Sequence, residues 1–180
     1  GDLAIGAFGI VNRLVFIVVM IVMGLNQGMQ PIAGYNFGAK LYGRVNKVLR
    51  LTIIYATAVT TFGFLVGMLV PDLVVGIFTS DAELTELSVT GLRITVMFFP
   101  IIGFQMVTSN FFQSIGMAGK AIFLSLTRQM LILLPCLLVL PQFFGVAGVW
   151  YSMPVSDLLA SLIALVMLVC QFRKFRTSPL

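Results

Sequence analysis

Four charged side chains lie inside long apolar stretches of the sequence: Arg13, Arg93, Arg128 and Asp157. Arg93 lies at the end of its stretch, so its long side chain can reach the surface. Arg13 and Asp157 each lie about nine residues from one predicted membrane surface, roughly 13 Å deep, and Arg128 enters from the other surface. We predict that Asp157 forms a buried ion pair with Arg13 or with Arg128. Such a pair is either a static interhelical contact or one that releases its partner during a conformational cycle.

Uncharged polar residues recur at helical spacing within the same stretches. The candidate cavity-lining residues are Asn26, Gln27, Gln30, Gln105, Thr108, Ser109 and Gln113. A further helical face carries Trp150, Pro154, Asp157 and Ser161. Such stripes either hydrogen-bond between helices, at roughly 1 kcal/mol each, or line an aqueous path. Packing is the commoner role for one residue, but several stripes in one small bundle favour a polar cavity.

No set of reactive side chains accompanies these stripes. The sequence has no histidine, and its two cysteines, Cys136 and Cys170, lack C-x-x-C spacing. It contains no phosphate-binding loop, no metal-ligand cluster and no carboxylate pair within one stretch. We therefore predict no catalytic residues, no metal site and no cofactor, and an enzyme is the poorest interpretation. If the protein moves a solute against its gradient, the energy must come from an ion gradient or from a partner protein.

The composition places these residues in a membrane protein. Of the 180 residues, 59% are hydrophobic and 9% are charged, whereas soluble proteins have about 25% charged residues. So small a globule could not hide that much apolar surface from water. The net charge of +5 does not predict nucleic-acid binding, because the basic residues form short groups between apolar runs.

Five stretches are long and apolar enough to cross a bilayer as helices. They are span A (Leu3–Ala33), span B (Leu51–Phe78), span C (Arg93–Ile115), span D (Ala121–Leu140) and span E (Gly148–Cys170). Runs such as Leu14–Met23 lack the alternation of a β-barrel strand. The predicted fold class is therefore an all-α integral membrane protein.

The charges between the spans predict the orientation of the chain. Five alternating crossings place eight basic residues on one side: Lys40, Arg44, Lys47, Arg50, Lys120, Arg173, Lys174 and Arg176. They place five acidic residues on the other side: Asp2, Asp72, Asp81, Glu83 and Glu86. We expect a multi-pass cell-membrane protein with its amino end outside and its carboxyl end cytoplasmic. The spacing of the bases at 40–50 predicts a short interfacial helix that anchors to anionic lipids or, less readily, recognises a partner.

Three segments carry a family resemblance. They are Gly24–Lys40 (GLNQGMQPIAGYNFGAK), Phe111–Gly116 (FFQSIG) and Gly145–Trp150 (GVAGVW). In their order and topology they resemble the multidrug and toxic compound extrusion (MATE) family. The chain begins with Gly1 and has no signal-peptide pattern, so we expect it to be part of a longer membrane protein.

The resemblance implies five helices of one six-helix lobe in a twelve-helix transporter. The chain is similar to the carboxyl-terminal lobe from its second helix onward, which makes the amino-terminal lobe the missing partner. Family members export amphipathic, often cationic drugs in exchange for Na⁺ or H⁺. The drug cavity lies between the lobes, so we expect this chain to be inactive alone. Span C contains no Asp or Glu, which implies that the coupling ion binds outside this fragment.

Two alternatives stay open. A flippase for lipid-linked oligosaccharides or polysaccharides needs several basic residues in its cavity to meet pyrophosphate, and only Arg13 and Arg128 are available. A non-transporting membrane subunit would use its polar stripes entirely for helix packing and would have no solvent-accessible cavity.

Overall fold

The computed structural model describes the backbone of residues 1–177 and the side chains of residues 1–175. In this part of the chain every regular element is a helix, which confirms the all-α class. The elements are α1 (Asp2–Gly38), α2 (Tyr42–Leu69), α3 (Pro71–Val75), α4 (Ala82–Val96), α5 (Phe99–Ser114), α6 (Ala118–Leu126), a π-helical segment (Thr127–Leu133), α7 (Leu134–Phe144) and α8 (Val146–Thr177).

Four helical stretches of the described chain are each long and apolar enough to cross a membrane. They are α1, α2, the run Ala118–Phe144 that includes the π segment, and Val146–Phe175 of α8. Helices α4 and α5 form a fifth candidate span that is bent by 54° at its centre. Since backbone groups in lipid must be satisfied within each segment, this arrangement is that of a multi-pass membrane protein.

The basic residues after α1 do not form the separate interfacial helix that their spacing predicted. Arg44, Lys47 and Arg50 occupy the first turns of α2, which continues without interruption to Leu69. The prediction was wrong because nothing between Tyr42 and Leu51 breaks a helix. Lys40 alone stays in the turn, in a left-handed conformation with φ of 59°.

Proline residues explain where the helices depart from the predicted spans. Span B was expected to reach Phe78, but α2 ends at Leu69 because Pro71 holds Val70 outside the helical region. The break between α4 and α5 precedes Pro100, which has no amide N–H to continue the first helix. Pro135 likewise lies two residues after the end of the π segment, in the first turn of α7, where it has no amide N–H to donate.

Helix α5 lies at the centre of the bundle and packs on α1, α2, α6 and α8. Its close approach to α2 depends on Gly103, where an added Cβ would lie 2.8 Å from the carbonyl oxygen of Ala56. Aromatic side chains fill the two ends of the core, with Phe111 and Phe112 at one end and Phe99 at the other. The core thereby fixes how α5 and α8 are aligned along the bundle axis, and so which of their polar residues can contact each other.

Of the three G-x-x-x-G pairs in the sequence, one is packed at both positions. Gly63 and Gly67 lie against Val18 of α1 and Val96 of α4. Gly24 and Gly28 have no neighbouring atom within 4 Å of an added Cβ, so this face of α1 is open. Small residues are needed where helices approach closely in a membrane, and an open pair leaves room for a further helix.

Candidate functional site

A buried ion pair joins the π segment to α8. The Arg128 guanidinium donates to Oδ1 of Asp157 from Nε at 3.1 Å and from Nη2 at 2.8 Å. The Asp157 side chain is 5% exposed and that of Arg128 is 33% exposed. The carboxylate is therefore enclosed by the bundle, whereas the cation extends from the enclosed region toward the surface.

Arg128 lies in a distorted part of its helix. It is the second residue of the π-helical segment, whose turn is wider than that of a regular α-helix. Thr127, at the start of that turn, is 4% exposed and its hydroxyl has no partner among the described atoms. Distorted turns with unsatisfied polar groups recur at functional sites, and this one carries the cation of the pair.

Arg13, the other predicted partner of Asp157, lies elsewhere. Its side chain is exposed, beside Asn12 and Phe16 on a shallow cavity of about 400 Å³. The depth argument gave the height of Arg13 along the membrane normal but not the face of α1 that carries it. The buried face of α1 is the one with Ala7 and Val11, so Arg13 does not belong to the pair.

The polar stripe predicted on α8 does lie on one buried face. Trp150, Pro154, Asp157 and Ser161 are all buried. The Ser161 hydroxyl lies 3.4 Å from the carbonyl oxygen of Ile101 in α5. Ser161 therefore lies near the amino-terminal end of α5, and Asp157 lies one helical turn before it on α8.

The stripe predicted on α5 divides into a packed part and an open part. Gln105 and Thr108 are buried, and the Thr108 hydroxyl donates to the carbonyl oxygen of Phe104 in its own helix. Ser109 is half-buried and Gln113 is exposed. Only the last two residues of this stripe are therefore available to a ligand.

A groove of about 320 Å³ between α5 and α6 contains the open part of that stripe. Ser109 and Gln113 line it together with Ser125, whose hydroxyl lies 3.4 Å from that of Ser109. Ile122 and Leu126 supply its apolar wall. Hydroxyl and amide groups on an apolar wall suit amphipathic molecules rather than highly charged ones.

The three polar residues predicted on α1 have different surroundings. Asn26 is 1% exposed, and neither its amide nitrogen nor its oxygen has a partner among the described atoms. Gln30 is half-buried, and Gln27 is exposed on the open face with Gly24 and Gly28. Within the part of the chain that the structure describes, the predicted cavity-lining residues therefore have different surroundings and do not line one common groove.

Sequence reasoning missed two contributors to the site. Ser125 escaped notice because an isolated serine in an apolar stretch is usually a packing residue. Its position, three residues before Arg128, was the available signal that this face of the helix is polar. The π segment was also missed, although Pro135 indicated that the helix must be distorted there.

Chemically, the site offers an ion pair and neutral hydrogen-bonding groups. Within residues 1–175, no cluster of three or more His, Cys, Asp or Glu side chains could hold a metal ion. The charged groups face each other, and the groove presents hydroxyl and amide groups. This arrangement can bind and release a molecule but has no evident nucleophile paired with a base.

Comparison with known proteins identifies the family. The family model described as MatE matches residues 1–138. The chain belongs to the MATE family. Members of this family are transporters rather than enzymes, which agrees with the prediction from the residue types.

Individual MATE relatives give the same result. The multidrug export protein MepA of Staphylococcus aureus (strain MSSA476) is 28% identical over 165 residues, which are 92% of this chain and 36% of MepA. A structure of the MATE multidrug transporter DinF-BH in complex with R6G is 37% identical and has a TM-score of 0.86. It matches 95% of this chain and 38% of DinF-BH.

The Vibrio cholerae MATE transporter VcmN, in its bent form, shares the fold with a TM-score of 0.87 at 20% identity. The match covers 97% of this chain and 40% of that transporter. The chain thus spans well under half the length of the MATE proteins it matches.

Proposed function

We propose that this chain is part of a secondary active multidrug transporter that exports amphipathic cationic compounds in exchange for Na⁺ or H⁺. The observation that carries the proposal is the 37% identity, over 95% of the chain, to a MATE multidrug transporter in complex with R6G. The chain supplies five helices of the carboxyl-terminal lobe. The amino-terminal lobe is its partner, and the chain alone is inactive.

The polar surfaces of the chain support a missing partner lobe. Arg13 and Gln27 are exposed on α1, yet both lie in a stretch long and apolar enough to cross a membrane. A charged group facing lipid at that depth is costly. The face with Arg13 and Gln27 therefore packs against the rest of the transporter or lines a wet cavity.

The groove at Ser109, Gln113 and Ser125 is our candidate for this lobe's share of the drug cavity. It is open in this chain, and the missing lobe would cover it. Its hydroxyl and amide groups would orient a drug, while Ile122 and Leu126 would contact the drug's apolar part.

We propose that the Arg128–Asp157 pair connects the π segment, between α6 and α7, to α8 during alternating access. The pair either stays closed, holding the two helices together, or opens in one of the two states. We assign the coupling-ion site to the missing part of the transporter. The reason is that α5 contains no carboxylate, and Asp157, the one buried carboxylate among the described residues, already binds Arg128.

The orientation follows from the charges. We place the connector after α1 and the carboxyl-terminal end of α8 in the cytoplasm because Lys and Arg remain on that side. The lipids of the cell membrane and small cationic drug-like compounds are then the expected partners. A role in nucleic-acid binding is not proposed.

The alternatives receive less support. A flippase for pyrophosphate-linked sugars needs free cations in its cavity, and Arg128 is neutralised by Asp157. A scaffold would consume its polar residues in packing, whereas Gln113 is exposed on an open groove. Neither alternative accounts for the similarity to multidrug transporters.

Efflux of ethidium from cells that express the full-length parent tests the proposal. The Na⁺ and H⁺ gradients are dissipated separately by selective ionophores. We expect efflux to stop when one of the two gradients is lost. Efflux that is independent of both gradients would contradict antiport.

The same cells test the role of the ion pair. If the Asp157→Asn variant keeps full efflux with normal dependence on the ion gradient, the pair is static. Reduced efflux at equal expression would support a pair that opens. Arg93→Gln is a matched control, since it removes a cation at the exposed surface of α4.

A further inference from the structure

The side of α1 that faces away from the bundle core carries a row of exposed residues. Arg13, Met20 and Gln27 follow one another at intervals of seven residues, about two helical turns, so they lie in line along the helix. All three are exposed, whereas Val11 and Val22 on the opposite side are buried. We call Arg13, Met20 and Gln27 the α1 stripe.

The Arg13 guanidinium has no partner in the described part of the chain. Neither an ion pair nor a hydrogen bond of its side chain is present among residues 1–175. The carboxylate on the same helix, Asp2, is 11 residues away, or roughly 16 Å. Asp157 is occupied by Arg128. The counter-charge of Arg13 must therefore come from another part of the transporter or from its surroundings.

The surroundings of Arg13 indicate a contact with protein or water rather than with lipid tails. Arg13 lies roughly 13 Å from the nearer membrane surface, where an unpaired cation facing hydrocarbon is costly. The Asn12 amide is exposed beside it, and both residues line the same shallow cavity. Acyl chains offer no hydrogen bonds to two adjacent polar side chains. The partner is therefore polar and, by charge complementarity, anionic.

A protein carboxylate is the anion that fits Arg13 best. Under the proposed function the exported compounds are cations, which Arg13 repels. A carboxylate accepts two parallel hydrogen bonds from a guanidinium, and such a pair is stronger where water is excluded. Phe16, which is 60% exposed and lies one turn further along α1, would exclude water beside the pair. These observations point to an acidic side chain of the amino-terminal lobe.

The height of Arg13 gives such a pair a role in the transport cycle. Arg13 lies in the first third of α1 (Asp2–Gly38). With the basic connector after α1 in the cytoplasm, this third is the extracellular end of the helix. A contact between the lobes at this height blocks the extracellular path, and it can form only when the outer halves of the lobes come together.

We propose that Arg13 forms an ion pair with a carboxylate of the amino-terminal lobe, and that this pair closes the extracellular side of the transporter in its inward-facing state. The inference rests on the proposed function, because it needs the second lobe and alternating access. Opening toward the outside separates the two charges into the water that enters the cavity, which limits the cost of breaking the pair. Arg13 is thus a positioning residue for one state of the cycle.

The first test is covalent capture of the partner in the purified full-length transporter. The Arg13→Lys variant keeps the cation and supplies an amine that a water-soluble carbodiimide joins to a carboxylate in contact with it. Peptide mass spectrometry should find position 13 linked to an acidic peptide of the amino-terminal lobe. The matched control is Gln27→Lys, whose amine lies on the α1 stripe about 21 Å nearer the cytoplasm. Absence of the link in Arg13→Lys, or the same link in Gln27→Lys, would overturn the proposal.

The second test measures how often the extracellular side is open. Met20→Cys is introduced into an otherwise cysteine-free full-length transporter, and a membrane-impermeant maleimide is applied to intact cells. Met20 lies about 10 Å further from the extracellular surface than Arg13, so the reagent reaches it only when the outer side is open. We expect Arg13→Gln to raise the labelling rate roughly fivefold to tenfold, at the low end of typical conformational coupling.

Two variants make the labelling result specific. Arg13→Lys should stay within about twofold of the parent rate, because it keeps the cation. Arg93→Gln, which removes an exposed cation from α4, should leave the rate unchanged. An unchanged rate in Arg13→Gln would overturn the proposal, and this is the result if Arg13 instead reaches lipid headgroups. If Arg13→Gln fails to fold, the carbodiimide link, which uses the conservative variant, decides alone.

Ethidium efflux separates this inference from the proposed function. Gradient-dependent efflux in the wild type, without the link and without a labelling change, would leave the transporter function standing and refute the pair. The link together with faster labelling in Arg13→Gln would support the pair even if the wild type exports no ethidium.

Discussion

The unequal burial of the two partners predicts that the Arg128–Asp157 pair is asymmetric toward mutation. Arg128→Gln leaves a carboxylate with 5% exposure and no cation, whereas Asp157→Asn leaves a guanidinium with 33% exposure. Removing one partner of a buried pair costs about 3–5 kcal/mol, mainly because the remaining charge is uncompensated. We expect a loss near 3 kcal/mol for Arg128→Gln and about 1 kcal/mol for Asp157→Asn, because the remaining guanidinium sits on a long side chain that can extend toward the membrane surface.

The double variant Arg128→Gln/Asp157→Asn should be more stable than Arg128→Gln alone. It contains no uncompensated charge, and two amide side chains can hydrogen-bond across the same gap. The assay is thermal unfolding of the full-length transporter in detergent, with Arg93→Gln as a surface control. An Asp157→Asn loss as large as that of Arg128→Gln would refute the reasoning. A double variant less stable than Arg128→Gln would refute it as well.

Three further predictions use the same unfolding assay. Gly103→Ala should lower the free energy of unfolding by about 1–3 kcal/mol, because its Cβ would lie 2.8 Å from the Ala56 carbonyl oxygen. Gly119→Ala is the control and should be neutral, since no atom lies within 4 Å of an added Cβ there. Asn26→Leu should raise stability by about 1 kcal/mol, since it removes an unpartnered buried amide; a loss would mean that the full-length protein supplies a partner. Pro135→Ala should restore a regular helix and rotate Arg128 by roughly 100° away from Asp157. The loss of stability in Pro135→Ala/Arg128→Gln should therefore be little larger than that in Arg128→Gln alone. If the two losses add in full, the π segment does not hold Arg128 in the pair.

Helical class and membrane insertion could be predicted because they depend on composition and on run length. A run such as Leu14–Met23 has one low-energy solution in lipid, which is a helix. The buried face of α8 was also predictable, since Trp150, Pro154, Asp157 and Ser161 share one helical period. These properties are local, so the sequence contains them directly.

The partner of Asp157 and the ends of the helices were not predictable in the same way. The estimated depth allowed Arg13 to pair with Asp157, and Arg128 could compete from the other surface. Only the packed structure distinguishes them, because it leaves Arg13 on an exposed face of α1 and brings Arg128 to Asp157. The sequence does not show which cation faces Asp157, because that depends on how each helix is rotated about its own axis. Pro71 sets the end of α2, and reading the apolar run as continuous to Phe78 overlooked it.

The five-crossing topology underlies the functional assignments of the groove and the ion pair. Single cysteines at Ala39, Thr79 and Met117 of an otherwise cysteine-free full-length transporter report it, with a membrane-impermeant maleimide applied to intact cells. Because Lys and Arg stay cytoplasmic, Thr79→Cys should be labelled in intact cells, and Ala39→Cys and Met117→Cys only after permeabilisation. Labelling of Ala39→Cys or Met117→Cys in intact cells would contradict the topology.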